Sequence, residues 1–307
     1  MSSVTKTIVA TGASSGLGFE AVKQLLLQPQ PAYRFILGAR DTVTTQAAYD
    51  ALPFDRATHQ LTILPLELGD MRSVKNFAQK TLEALGSNDL EYLVLNAAIT
   101  TPAAKSVAGG RTGQWCESYV VNHLSQHYLV HLLREKLVKS DKARVVVVSS
   151  GAVRMVKDPT VLAANLKAGS ASEATYPETK FVQLLGAHWW RRQFQLAGNA
   201  NVEVVAVSPG LIPETGITRG SGMVFPSNLP DAKSVPEGAA SILAALTRTD
   251  LPAESDRIFL TSWGEWWPTS EYALTLDKEL QDRWAPTLEE IESEWPELKA
   301  QTYNTSA

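Results

Sequence analysis

Short apolar runs recur along the chain and alternate with stretches of helical periodicity. Seven runs rich in β-branched residues read as strands: TIVAT at 7–11, RFILGA at 34–39, LTILPL at 61–66, EYLVLNA at 91–97, ARVVVVSS at 143–150, NVEVVAVS at 201–208 and RIFLTS at 257–262. Between them, MRSVKNFAQKTLEAL (71–85) and CESYVVNHLSQHYLVHLLREKL (116–137) repeat apolar positions every three or four residues, as an amphipathic helix does. VVVV and VEVVAV are apolar on both faces, which fits parallel strands covered by helices on each side. The pattern predicts an α/β fold, a doubly wound parallel sheet of about seven strands with helices on both faces. Neither an internal repeat nor a low-complexity linker divides the 307 residues, so a single domain is expected, with a core at 5–262. From residue 263 the strand signal stops and tryptophans and carboxylates take over, predicting a C-terminal helical extension over 263–307.

Composition narrows the function. A hydrophobic content of 44% suffices for a large core, and a net charge of -4 leaves no basic footprint for nucleic acid; the Arg191–Arg192 pair is too short to change that. The single cysteine, Cys116, excludes an intrachain disulfide and favours a reducing compartment. No run of about 18 apolar residues occurs, and MSSVTKTIVATG has no charged-then-apolar leader, so no membrane span and a cytoplasmic location are expected. The NTS triplet at Asn304 reads as a chance match to a glycosylation acceptor.

Candidate chemistry begins at TGASSGLG, residues 11–18, where the first strand hands over to a helix. Glycines there allow positive φ and close approach of a bulky anion, while the first helical N–H groups point at it. Gly12, Ser14, Ser15, Gly16, Leu17 and Gly18 are therefore candidates for a pyrophosphate cradle. At the end of the second strand, LGARD has Ala39 where an NAD site would place a carboxylate, and Arg40 follows it. A guanidinium can pair with a 2′-phosphate, whereas Asp41 reads as a helix N-cap, so NADP(H) is the expected cofactor.

In TYPETK, Tyr176 and Lys180 stand four apart and share a helix face. Thr175 with Glu178 reads as a capping box, which places Tyr176 and Pro177 in the first turn; a start at Ser172 would put the proline inside the helix at a cost of about 3 kcal/mol. A nearby ammonium and a helix N-terminus both favour a phenolate, so the pair suits proton transfer. VVVVSSGA ends a central strand with two serines, at the edge where ligands of doubly wound sheets bind, and a hydroxyl there can donate to a substrate carbonyl.

These motifs together resemble the short-chain dehydrogenase/reductase family over nearly all of 5–262, with a Rossmann fold as the implied architecture. Thr11 to Gly18 match its glycine motif, Asn96 and Ala97 its Asn-Ala pair, Asn122 its helix asparagine, Ser150 its strand serine, Tyr176 and Lys180 its Tyr-x-x-x-Lys, and Pro209 and Gly210 its Pro-Gly. The resemblance implies that Tyr176 is the general acid in carbonyl reduction, that Lys180 holds the nicotinamide ribose and lowers the tyrosine pKa, and that Ser150 orients the carbonyl. Asn122 would hold a water linking Lys180 to solvent. Glu67 and Leu68 would lie near the adenine and Thr215 near the nicotinamide amide. The chain departs from the family in reading LNAA around Asn96 and in placing Tyr176 26 residues after Ser150. Those departures, with VNHL and PTSEYALTLDKELQDRW, are similar to the retinol dehydrogenase and protochlorophyllide reductase branch.

The implied activity is that of an NADP(H)-dependent carbonyl reductase or alcohol dehydrogenase of small-molecule secondary metabolism, acting on a bulky hydrophobic carbonyl or alcohol. A cofactor-binding protein of the same fold catalysing a non-redox rearrangement or cyclisation is the alternative. His123, His127 and His131 recur every four residues, but no carboxylate or cysteine accompanies them, so no metal is expected. Trp189 and Trp190 read as core or subunit interface, and their helix with the preceding long one could form a homodimer surface, as in relatives of the family. Trp263, Trp266 and Trp267, with the Gly- and Pro-broken segment 210–230, either wall a substrate pocket or pin the C-terminal helices.

Overall fold

The computed structural model describes residues 5–109, 111–213, 215–217, 229 and 232–298. Most of the 210–230 segment and the Asn304 triplet lie outside them. Each of the seven apolar runs holds a strand: β1 (Lys6–Thr11), β2 (Tyr33–Ala39), β3 (Gln60–Pro65), β4 (Tyr92–Leu95), β5 (Ala143–Val148), β6 (Val202–Val207) and β7 (Phe259–Leu260). They form one parallel sheet in the order β3-β2-β1-β4-β5-β6-β7, so the chain reverses its direction of winding between β1 and β4. The helices are α1 (Gly16–Leu26), α2 (Thr42–Asp50), α3 (Met71–Leu85), α4 (Glu117–Tyr119), α5 (Ser125–Lys139), α6 (Leu162–Asn165), α7 (Thr175–Leu196), α8 (Val235–Thr247), α9 (Lys278–Trp284) and α10 (Leu288–Glu294). A π-helical turn, Val120–Leu124, joins α4 to α5.

Side-chain alternation along the strands sorts the core into two layers. On β5, Val145 and Val147 join the layer that holds Phe77, Tyr128 and Phe181, while Val146 and Val148 join the layer that holds Leu25, Phe35 and Ile242. Both faces of the central strands are thus buried, which is why VVVV needs no polar alternation. Helix starts are fixed by side-chain caps: Asp41 accepts from Thr44 N, Asp70 from Arg72 N, and Ser234 forms a reciprocal box with Glu237. The polar residues at the ends of the predicted strands leave the ladder: Asn96 and Ala97 lie just past β4, Ser149 and Ser150 just past β5, and Ser208 just past β6.

The extension is helical. A 3-10 segment, Thr269–Leu276, and α9 pack on α7, and α10 packs on α5. Trp284, Ile291, Trp295 and Leu298 are buried, and Lys75 of α3 reaches Glu292 at 3.0 Å and the Leu298 carbonyl at 2.7 Å. The extension therefore occupies part of the α5–α7 face suggested above as a dimer surface. Among the described residues, no helix is long and apolar enough to cross a membrane.

Candidate active site

At the switch point the glycine loop lies directly on the end of β4. Gly12 and Gly16 have φ of 64° and 57°, which disfavour a side chain. A Cβ on Gly12 would sit 2.6 Å from Ala97 Cα, and one on Gly18 would sit 2.3 Å from the Gly12 oxygen. Asn96 Nδ2 donates to the Gly12 carbonyl at 2.8 Å. The backbone N–H groups of Asn96 and Ala97 both donate to Thr11 Oγ1 at 3.1 Å, and that hydroxyl donates to Gln126 Oε1 at 3.0 Å. Gln126 Nε2 closes the circuit on the Ala97 carbonyl at 2.9 Å. Ser14 and Ser15 are exposed and Leu17 is half-buried; Ser15 is the N-cap of α1, in extended backbone with no side-chain cap, so the first helical donors keep their capacity for an anion.

Three further segments converge on this edge. Pro209 is buried and Gly210 has φ 95° just past β6, and Thr215 lies 3.8 Å from where a Gly16 Cβ would stand. Thr100 Oγ1 donates to the Ile217 carbonyl at 2.9 Å, tying the loop after β4 to the same segment. Arg40 is exposed just past β2, while Asp41 turns away to cap α2, accepting from Thr44 N at 2.9 Å and Thr44 Oγ1 at 2.6 Å. Glu67 Oε1 accepts from Gly69 N at 3.0 Å, and the carbonyl of buried Leu68 accepts from Ser125 Oγ.

Ser150, Tyr176 and Lys180 come together at the carboxyl end of β5. Ser150 lies beside the Tyr176 phenol, close enough to oppose the rise in its pKa, and its hydroxyl accepts from Ala152 N at 3.2 Å as the cap of a 3-10 turn, Gly151–Met155. Lys180 Nζ stands 5.9 Å from the Tyr176 ring centroid and donates to the Val148 carbonyl at 2.9 Å and Gln183 Oε1 at 3.0 Å. Burial pushes the phenol up to about 12 and pushes the Lys180 ammonium down to about 7. Desolvation of the phenol is the larger influence on its proton affinity here, and Ser150 opposes it.

Asn122 ties together the elements around this site. It is fully buried in the π-helical turn, its Oδ1 accepts from Ile99 N at 2.8 Å, and its Nδ2 donates to the Ile99 carbonyl and Thr179 Oγ1 at 2.9 Å each. Its amide binds the loop after β4 to α7 and makes no bond to Lys180 among the described residues. The helix start is corrected. Ala174 is the N-cap of α7, Thr175 is the first helical residue, and Glu178 accepts from Asn165 Nδ2 at 2.5 Å and Ser172 Oγ at 3.0 Å instead of closing a box. Tyr176 and Pro177 still fall in the first turn.

The family model described as short chain dehydrogenase matches residues 6–222. A short-chain dehydrogenase/reductase of Pestalotiopsis microspora is 54% identical over 293 residues, covering 94% of this chain and 98% of that one. This chain belongs to the short-chain dehydrogenase/reductase family. Retinol dehydrogenase 12 of Mus musculus is 29% identical over 260 residues, 83% of this chain and 77% of its own, in keeping with the branch the motifs resemble. The NADPH-bound carbonyl reductase from chicken fatty liver has the same fold, with a TM-score of 0.63 at 22% identity, over 86% of this chain and 98% of its own.

In this short-chain dehydrogenase the three tryptophans after β7 part company. Trp263 is 66% exposed. Trp266 donates to the Asp250 carbonyl at 3.2 Å. Only Trp267 reaches the site: it is buried against Phe259, its ring edge would stand 3.1 Å from a Cβ on Gly151, and the Arg154 guanidinium lies 4.4 Å over it. The histidine row serves the extension, with His123 bonding to the Trp284 carbonyl at 2.7 Å and His127 and His131 to that of Pro286 at 2.9 and 3.1 Å. Sequence reasoning missed Gln126 and Gln183. Gln126 carried a usable signal, since it follows Asn122 by four residues and so returns to the same helical face.

Proposed function

We propose that the protein is an NADP(H)-dependent oxidoreductase that interconverts a carbonyl and an alcohol on a bulky hydrophobic small molecule. The observation that carries this reading is the meeting of Ser150 and Tyr176 at the carboxyl edge of the sheet, with buried Lys180 5.9 Å from the tyrosine ring and tied to the end of β5. The residues present suit a dinucleotide: glycine at 12 and 18 lets the loop close tightly on the end of β4, where a side chain would strike Ala97 or the Gly12 carbonyl, and the α1 donors beyond Ser15 are not taken by a cap. Gly12, Ser14, Ser15, Gly16, Leu17 and Gly18 would hold the pyrophosphate, Glu67, Leu68, Asn96 and Ala97 the adenosine side, and Pro209, Gly210 and Thr215 the nicotinamide amide. Arg40, with Asp41 committed to capping, would pair with a 2′-phosphate. The reading takes 1–307 as one domain.

The cofactor supplies hydride to the carbonyl carbon in reduction, or accepts it in oxidation. Ser150 donates a hydrogen bond to the carbonyl oxygen as charge develops there. Tyr176 delivers its proton to that oxygen, completing the alcohol and leaving a phenolate. A phenol at about 12 keeps its proton at neutral pH, so the side chain starts as an acid, which suits reduction. Lys180 stabilises the phenolate, and Asn122 keeps α7 in register through Thr179. The Trp267 indole beside Gly151 supports an apolar substrate wall.

NADPH oxidation across a panel of bulky ketones and aldehydes tests the reading. Tyr176→Phe should lower kcat by about 10²- to 10⁴-fold while fluorescence-titrated NADPH affinity stays near wild type. Turnover that survives the substitution removes the tyrosine from this role.

A further inference from the structure

Lys180 is 1% exposed, and a buried ammonium must find acceptors for its N–H groups. The protein offers two, the Val148 carbonyl and Gln183 Oε1. Gln183 lies three residues further along α7, on the same face, and is 4% exposed. With its oxygen turned to the ammonium, its Nε2 is left buried with no hydrogen-bond partner among the described residues. Gln183 lines a small cavity together with His123, His127, Gln126 and Gly186. An amide kept inside a core with an unpaired N–H lowers stability, and a leucine or methionine would fill the position without that penalty. The gain must lie in the oxygen.

We propose that Gln183 is a positioning residue for Lys180: its amide oxygen holds the ammonium against the end of β5 beneath Tyr176 and keeps it protonated. Its meaning for catalysis rests on the oxidoreductase reading above. The titratable groups around this lysine are Tyr176 on its own helix and His123 and His127 across the cavity on the helix that packs against it, and both rings are pushed toward neutrality by burial. Burial depresses Lys180 itself to about 7, so the charge of this side chain is balanced near neutral pH and one lost acceptor is enough to change it.

The test uses the full chain with isotope-labelled lysine, titrating the Lys180 resonance by NMR in wild type, Gln183→Met and Gln183→Glu, with NADPH dissociation constants measured across the same pH range. Loss of a hydrogen bond to a charged group corresponds to a downward shift of about one pH unit in Gln183→Met, and a carboxylate at the same reach should move the titration up by a similar amount. NADPH binding should lose its alkaline limb at lower pH in Gln183→Met and at higher pH in Gln183→Glu. Should the methionine variant fail to fold, Gln183→Asn, one methylene short of the lysine, is expected to follow the same downward direction. A Lys180 titration unmoved in the variants that fold overturns the proposal, because a packing role predicts no shifts of opposite sign. Shifts without NADPH binding in wild type would instead defeat the oxidoreductase reading and leave the amide–ammonium pairing standing.

Discussion

Replacing Gly12 by alanine separates two physical demands that the glycine loop makes on its first glycine. The backbone there has φ 64°, and an L side chain in the left-handed region costs about 1 to 2 kcal/mol. The added Cβ would also stand 2.6 Å from Ala97 Cα and 2.8 Å from its nitrogen, and these are backbone atoms held by the Thr11 hydroxyl, with no flexible tip to swing aside. Overpacking of this kind costs about a further 1 to 3 kcal/mol. Gly198 is the control: its φ is 73° and nothing lies within 4 Å of an added Cβ, so Gly198→Ala meets only the backbone term. Paired denaturant titrations should give a loss of about 1 to 2 kcal/mol for Gly198→Ala and about 2 to 5 kcal/mol for Gly12→Ala. Gly12→Ala should also weaken NADPH binding at least tenfold, since relief of the overlap must part the loop from β4. Equal losses for the two variants, with cofactor affinity unchanged, would refute the claim that close approach to β4 shapes the cradle.

Two further outcomes follow from the same site and its supports. Arg40→Ser should cost about ten- to a hundredfold in NADPH affinity and leave NADH affinity unchanged, read by fluorescence titration of both dinucleotides; equal effects on both would detach Arg40 from the 2′-phosphate. Burial pushes His123 and His131 down to about 4 and His127 well below its ordinary range, so the unfolded chain binds more protons than the folded one as pH falls through the usual histidine range. Stability should therefore be complete above about pH 6.5 and fall as pH drops toward 4, and in His131→Phe the acid limb of the urea midpoint should be less steep.

Strand existence was legible because both faces of the sheet are covered: β5 and β6 present unbroken apolar runs, and no competing helix signal of that length arises. The glycine loop, Ser150, Tyr176 and Lys180 were legible for a different reason, since each lies at a strand exit or in a first helical turn, where local spacing dictates placement. What escaped was set by contacts distant in sequence. Glu178 stands three residues after Thr175, the spacing of a capping box, but Asn165 and Ser172 offer it hydrogen bonds in a loop folded back on α7, and those win. Tyr176 shows the same limit in its proton affinity. A neighbouring lysine and a helix N-terminus predict a lowered pKa, yet the depth of the site raises it, and depth depends on how α7 is packed against β5 and the turn that follows it.

That burial bears on how the acid works. A phenol lowered all the way to neutrality would carry its proton at rest in only part of the molecules. Here the phenol is desolvated, set beside Ser150 and placed near a lysine whose ammonium burial also disfavours. In the proposed reduction the proton would stay on Tyr176 until negative charge appeared on a substrate oxygen, and the charge then passing to the phenolate would strengthen the hold of the ammonium on its own proton. Ser150 and Lys180 thus have their greatest effect when charge develops, in the transition state and just after it, which is where stabilisation raises kcat and does not merely tighten binding.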